Sequence, residues 1–307
     1  MIQFIKPGTN INFIGKRNTA IAISVVLIIA GIVSIVVRGG FNYGIDFSGG
    51  TMVQLLFKKD VSIDKVRKGL LKTNMGDSII QHYGGSKEII IRTKESSEVL
   101  EDIGEKIKGA LISEFSKDDF EVRRVEIVGP KVGKDLKGKA ILSLFYAMIF
   151  MLVYVWWRFE LAFGVGAIIA LLHDVLITAG AISITNTEFD LTIVAALLTI
   201  VGYSINDTIV VYDRIRENLK EQRREGYADI INKSINETLS RTILTSLTVF
   251  LVAIVLFLLG GEVIHGFALA MVIGVIAGTY SSIYIASPIV LFWESSPDRR
   301  LLVKKGK

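Results

Sequence analysis

Six stretches of this chain are apolar and long enough to cross a bilayer, and they dictate most of what it can become. They fall at about residues 19–37, 140–157, 161–183, 191–212, 242–259 and 266–293. A hydrocarbon core about 30 Å thick needs about 20 helical residues, because in lipid a segment must satisfy its own backbone N–H and C=O groups. The last stretch is the longest and is expected to tilt or to end in an interfacial piece. Residues 19–37 are too long for the core of a secretory signal and no A-x-A cleavage site follows them, so they read as a retained anchor. Mean hydropathy is +0.51, yet 21% of the residues are charged. That combination predicts a membrane protein with a sizeable aqueous part.

Composition also excludes several classes. There is no cysteine, hence no disulfide or thiolate metal site. His82, His173 and His265 lie far apart, which leaves a histidine metal site without support. No phosphate-binding glycine loop and no Ser/His/Asp set is found, so neither an enzyme nor a cofactor is expected. The net charge of +5 does not call for nucleic acid, because Lys and Arg gather in cytosolic loops of membrane proteins.

Those charges set a direction. Lys6, Lys16 and Arg17 precede the first stretch, Arg158 separates the second and third, a run from Arg214 to Arg241 joins the fourth and fifth, and Arg299 to Lys307 close the sequence. All fall on one side of a six-span arrangement, and the opposite short loops, 184–190 and 260–265, carry no Lys or Arg. Both termini are therefore expected in the cytosol. Lys131, Lys134, Lys137 and Lys139 oppose this, but they belong to a long segment of the kind that crosses regardless of charge. The expected division is a cytosolic N-terminus with the first helix at 1–38, an extracytoplasmic domain at 39–136, helices two to six at 137–294 with a cytosolic connection at 213–241, and a basic tail at 295–307.

Within the outer segment, residues 51–57, 78–83, 88–93 and 121–128 read as strands, with a hairpin signal at Gly84-Gly85. Residues 62–73, behind an N-cap Ser62, and 97–115 read as helices. The order βαββαβ predicts a ferredoxin-like layer of one sheet and two helices. In the cytosolic connection, 213–224 extends the fourth span, Gly226 breaks it, and 227–240 repeats Ile230, Ile231, Ile235 and Leu239, as expected of an amphipathic helix on the membrane surface.

Asp207 is the most consequential single residue, because a carboxylate inside an uncharged span costs about 2.5–3.5 kcal/mol on insertion scales. The charged run beginning at Asp213 places it roughly 9 Å inside the cytosolic end of its helix. Ser204 and Thr208 share its face, and Asn206 belongs to the same polar run. The bland explanation is a buried packing contact; the functional one is a carboxylate that takes up and releases a proton. Arg241, at the start of the fifth span, is its natural partner or else a snorkelling arginine. Side chains lean toward a helix N-terminus, so pairing requires the fifth helix to sit deeper than hydropathy suggests. His173-Asp174 lies mid-way along the third span, and Asp174 reads as a second, weaker station. Adjacent residues point about 100° apart, so the two should serve different partners. Gly44, Asp46, Phe47, Gly49 and Gly50 on one side of the outer domain, and Gly129, Pro130 and Gly133 on the other, read as turns or hinges framing it. Gly274 and Gly278 provide a close-packing face on the last span.

Four motifs then carry a resemblance: Tyr-Gly-Ile-Asp-Phe-Ser-Gly-Gly at 43–50, Val-Gly-Pro-Lys-Val-Gly at 128–133, Gly-Tyr-Ser-Ile-Asn-Asp-Thr at 202–208 running on to Asp-Arg-Ile-Arg-Glu-Asn at 213–218, and Ser-Arg-Thr-Ile-Leu-Thr-Ser at 240–246. Taken together and in this order, the sequence resembles the SecF family of bacterial protein-export membrane proteins, part of a proton-driven transporter superfamily. The resemblance implies that Asp207 is the family's membrane carboxylate and Arg241 its functional arginine, and it gives the Asp46 motif a role. It implies SecD and the SecYEG channel as partners, exported unfolded polypeptide and protons as what is moved, and the bacterial cytoplasmic membrane as the location. A non-transporting assembly subunit and half of a small-molecule exporter are the alternatives.

Overall fold

The computed structural model describes residues 9–294 apart from 74, 77, 94–99 and 222–224. The basic tail at 295–307, Lys6, Arg223, Arg224 and the expected helix start at 97–99 lie outside the described residues. Among the described residues, six helices are long and apolar enough to cross a membrane. The chain divides into two compact units. One comprises residues 1–42, 142–187 and 192–307; the other comprises residues 43–141 together with the short piece Glu188–Leu191.

The first unit is a helical bundle. Its helices are α1 (Arg17–Val37), the latter part of α5 (Pro130–Arg158), α6 (Leu161–Ile184), α7 (Leu191–Glu221), α8 (Tyr227–Leu259), α9 (Glu262–Ser281) and α10 (Ser287–Glu294). A π-helical turn at Ser282–Ala286 joins the last two. Without a hydrophobic drive between helices in lipid, close contact depends on small residues. Thus α1 meets α6 at Gly31 and Gly180, where a Cβ on Gly31 would sit 2.7 Å from the Gly180 Cα. One turn further the Ser34 and Ser183 hydroxyls are 3.0 Å apart. Gly274 and Gly278 fit the same logic, receiving Ile200 and Ser204 of α7.

The fifth span and the segment before it differ from expectation. Residues 227–259 form one continuous helix, with Gly226 at its N-cap, and no break separates an amphipathic piece from the span. Nor does the apolar stripe lie on a membrane surface. Ile231, Ile235 and Leu239 are buried in the core cluster that contains Tyr212, Ile215, Phe159 and Phe163, and Ile230 is buried as well. The polar side of this helix is also engaged. Asn232 accepts the Phe13 N–H at 2.8 Å, Asn236 accepts the Ile11 N–H at 2.8 Å, and Glu237 accepts from Arg214 at 2.6 Å. Amphipathicity alone does not distinguish a helix covered by lipid from one covered by its own chain.

The second unit has the order β1 (Gly50–Phe57), α3 (Ile63–Leu71), β2 (Ile79–His82), β3 (Glu88–Thr93), α4 (Leu100–Ile112), β4 (Phe120–Val128), preceded by a single-turn helix α2 (Ile45–Ser48). The sheet order is β2-β3-β1-β4, antiparallel at every pairing. This is the expected ferredoxin-like βαββαβ layer. Alternation sends Val53, Leu55 and Phe57 of β1, with Ile89 and Ile91 of β3, into a core with Val66, Leu70, Ile107 and Leu111 of the helices. Ser62 does hold the N-cap position of α3, though its side chain makes no cap hydrogen bond. At the exit, β4 ends at Val128 and α5 begins at Pro130. Gly133 therefore lies within a helix, and its role is close approach: a Cβ there would be 3.0 Å from the Gly49 N. Gly49 itself adopts φ +70°, a left-handed conformation that favours glycine.

Replacing Gly180 by leucine should force α1 and α6 apart. The expected loss is about 1–3 kcal/mol, read as a lower midpoint in denaturant titration of the solubilised protein, while Gly202→Leu, where a Cβ meets nothing within 4 Å, should change it much less.

Candidate functional site

Two buried carboxylates organise the bundle. Asp207 on α7 is 2% exposed and Asp174 on α6 is fully buried. A carboxylate in apolar surroundings persists only if its oxygens find donors, and here every donor is a hydroxyl or a ring nitrogen. Thr245 Oγ1 of α8 donates to Asp207 Oδ1 at 3.0 Å. Ser246 Oγ donates to Oδ2 at 3.1 Å. Thr279 Oγ1 of α9 in turn donates to Ser246 at 2.7 Å. Three helices thus converge on one side chain.

Asp174 is held in the same manner by three donors, from α7, from α9 and from its own helix α6. Ser204 Oγ of α7 donates to Oδ2 at 2.6 Å, and Ser281 Oγ at the end of α9 donates to the same oxygen at 2.9 Å. His173 Nδ1 lies 2.9 Å from Oδ1, and its Nε2 lies 3.0 Å from Ser24 Oγ on α1. The adjacent pair serves different helices, as the 100° offset predicts, but the two side chains also touch each other. Tyr280 stacks on the His173 ring with centroids 6.0 Å apart and donates its hydroxyl to Ala20 O at 2.7 Å.

Ser204 joins the two centres. It sits one turn before Asp207 on the same buried face of α7, and it touches Asp174 directly. Thr208 shares that face and donates to Ser204 O at 3.3 Å. Asn206 does not: it is exposed, on another side of the helix. Arg241 is exposed at the position one turn before Thr245, and among the described residues it forms no ion pair with Asp207. The N-terminal lean of helical side chains accounts for this, carrying Arg241 away while Thr245 and Ser246 take the contact positions. A cleft of about 390 Å3, lined by Ile243, Ser246, Leu247, Phe250, Thr279 and Tyr280 among others, borders these hydroxyls.

Sequence reasoning missed Thr245, Ser246 and Thr279 as partners, and Ser24 and Ser281 likewise. Their signal was present as hydroxyls recurring inside apolar helices, but lone Ser and Thr satisfy themselves on their own helix backbone too readily to stand out. Among the described residues no His/Cys/Asp/Glu cluster could hold a metal ion.

The motif residues gather in the other unit. Asp46 Oδ2 accepts the N–H of Leu191, the first residue of α7, at 3.0 Å. Gly44 donates to Phe189 O at 3.0 Å. Phe47, Tyr43 and Phe189 form an aromatic trio with centroids 6.0 to 6.2 Å apart. Gly49 packs on Pro130, where a Cβ would approach the Pro130 Cα to 2.8 Å. Gly50 begins β1 opposite Val128, and Gly129 alone separates β4 from α5.

The bundle and its polar centre define a polytopic membrane protein interrupted by a ferredoxin-like unit, with a hydroxyl-lined carboxylate centre at its heart. Residues 107–296 match the C-terminal region of the SecD/SecF protein export membrane proteins, and residues 33–61 match the SecD/SecF GG motif. The protein translocase subunit SecF of Calditerrivibrio nitroreducens is 49% identical over 301 residues, covering 97% of this chain and 99% of that one. Its counterpart from Magnetococcus marinus is 46% identical over 309 residues, covering 100% and 99%. The crystal structure of SecDF, a translocon-associated membrane protein from Thermus thermophilus, superposes with a TM-score of 0.85 at 38% identity over 94% of this chain. A SecDF structure in a super-membrane-facing form gives 0.71 over 100%. This chain spans only 39% and 41% of those two SecDF chains. The chain belongs to the SecD/SecF family of protein-export membrane proteins, on the side of the SecF subunits of protein translocase.

Removing the donors should expose the cost of a buried acceptor. The pair Thr245→Val with Ser246→Ala leaves both Asp207 oxygens unpaired, and the expected loss is about 1–3 kcal/mol per missing bond. Denaturant titration should show it, and adding Asp207→Leu to the pair should recover part of the loss.

Proposed function

We propose that this chain acts with SecD in the bacterial cytoplasmic membrane, both termini cytosolic, and uses the proton motive force to promote export of unfolded polypeptide emerging from SecYEG on the outer side. The observation that carries this reading is the hydroxyl cage of Asp207. Hydroxyls both donate and accept, so by rotating they satisfy an ionised carboxylate or a protonated one. A lysine or arginine in direct contact would fix the charged form; here Arg241 stands off, one turn along α8 from Thr245. A shift of α8 that brings Arg241 closer favours ionised Asp207, and withdrawal favours the acid. Each proton moved through a potential of 100 mV supplies about 2.3 kcal/mol, enough to change a conformational ratio roughly fiftyfold.

Asp174 is the second station in this scheme, in contact with Asp207's helix through Ser204. The outer unit would deliver the work, and the glycine-containing crossings at 44–50 and 129–133 are where it would pivot. A structural contact is the competing role for Asp207. Asp207→Asn separates the two, because the amide retains hydrogen bonding and removes titration. Gradient-dependent export should fall by at least tenfold in cells, with protein abundance and SecD association unchanged; normal export would leave Asp207 a packing contact.

If Arg241 tunes Asp207, Arg241→Lys should retain partial export and Arg241→Met should lose it. Asp207→Asn combined with Arg241→Met should be no worse than either change alone, because both residues act on one step. Additive losses would show that Arg241 works elsewhere, at the membrane interface.

A further inference from the structure

The loop between α6 and α7 ends in a piece, Glu188–Leu191, that packs with the ferredoxin-like unit, although Leu191 is already the first residue of α7. The opening motif at 43–50 holds that piece at several points. Tyr43 and Phe189 form a parallel bridge, and the Gly44 N–H donates to Phe189 O at 3.0 Å. The Phe189 ring packs with those of Tyr43 and Phe47. Asp46 Oδ2 accepts the Leu191 N–H at 3.0 Å. Glu188 pairs with Arg92 of β3 and lies against Gly44, where a Cβ would come within 2.6 Å of its Oε1.

The motif itself is firmly built. Gly44 O accepts the N–H groups of Phe47 and Ser48 at 3.1 and 3.0 Å, and Ile45 O accepts that of Gly49 at 2.9 Å. Ile45 and Phe47 are buried. This turn fixes where the Asp46 carboxylate stands. The first N–H groups of a helix have no partner within it, and a negative charge beside them is favourable. A residue local to the helix could meet that need. Here the acceptor for Leu191 comes from 145 positions away, so the same bond ties two distant segments together. α7 then runs as one helix from Leu191 to Glu221. At 1.5 Å per residue, Asp207 lies about 24 Å along it from Leu191.

We propose that Asp46 is a positioning residue: by holding the first N–H of α7 it makes the opening motif and the start of that helix move as one piece. A displacement of the ferredoxin-like unit then reaches the helix that carries Asp207, and the converse. A direct bond is needed for this because a loop alone absorbs small displacements in its own dihedral angles. That the link serves export rests on the function proposed above; the link itself does not.

Distance measurement in the full-length protein in lipid nanodiscs tests it. The chain has no cysteine, and Gly109 of α4 and Gly202 of α7 are exposed with open space where a Cβ would go. Spin labels on Gly109→Cys and Gly202→Cys, read by double electron–electron resonance, should give one narrow distance in otherwise wild-type protein. Asp46→Ala should add a second, broad component, because loss of a charge-assisted bond changes the ratio of held to released forms on the order of tenfold. Leu191→Pro should do the same, since proline is accepted at the first helical position but has no N–H to offer. Leu191→Ala keeps the N–H and Asp46→Asn keeps an acceptor oxygen, so both should retain the narrow distance. Combining Asp46→Ala with Leu191→Pro should fall well short of the summed effects. Labels on Gly109→Cys and Gly138→Cys, both within the ferredoxin-like unit, should keep their distance in every variant, which separates a lost link from a lost fold. A broad distance in wild type, a narrow one in Asp46→Ala or Leu191→Pro, or a disturbed Gly109–Gly138 pair would overturn the proposal. No gradient or SecD is needed, so the link is judged even if Asp207 carries no proton.

Discussion

A carboxylate inside an apolar bundle must be met by donors, and that requirement sets the arrangement of the helices. Asp207 draws Thr245 and Ser246 of α8, and Thr279 of α9 behind them. Asp174 draws α7 through Ser204, α9 through Ser281 and, through His173, α1 through Ser24. Apolar side chains pack in many registers with similar energy, but a hydroxyl must lie within about 3 Å of its acceptor. The two carboxylates therefore specify which helix faces meet, and the glycines at 31, 180, 274 and 278 allow the backbones to approach closely enough for the contacts to form.

The same helices take part in the proposed chemistry, so structure and function draw on one set of bonds. A centre built from hydroxyls tolerates a change of charge better than one built from fixed cations, since each hydroxyl can reverse its role. The nearby cation, Arg241, is kept at the rim. In the ferredoxin-like unit, by contrast, Glu188 contacts its arginine, Arg92, directly. The chain thus contains one carboxylate with hydroxyl partners and another whose partner is a charge.

Much of this was legible in the sequence, for identifiable reasons. The spans could be read because lipid imposes length and composition together, and the four strands because alternation and the Gly84-Gly85 turn agreed. Asp207 and Asp174 stood out by their cost. Partners were less legible. Thr245 and Ser246 look like any hydroxyls in a helix, and Arg241 drew attention by its charge although the contact went to its neighbours. The stripe at Ile230, Ile231, Ile235 and Leu239 was seen, but its cover was not, because periodicity gives the buried face and never what buries it. The Glu188–Arg92 ion pair was invisible for another reason: the two residues are 96 positions apart, and nothing in a short polar loop announces a distant strand.

The π-helical turn at Ser282–Ala286 has one more implication. Inserting a residue into a helical turn rotates everything beyond it by about 100° relative to an uninterrupted α-helix. Before the turn, Thr279 and Ser281 point at the two carboxylate centres; at its end the Ala286 carbonyl accepts the Tyr212 hydroxyl, and beyond it Val290 and Leu291 enter the bundle core. One straight helix would serve one of these faces and turn the other outward. The last span is in effect two helices out of phase with each other, and the extra residue acts as a dial that keeps Thr279 and Ser281 on one side of it, and Val290 and Leu291 on the other, all aimed inward.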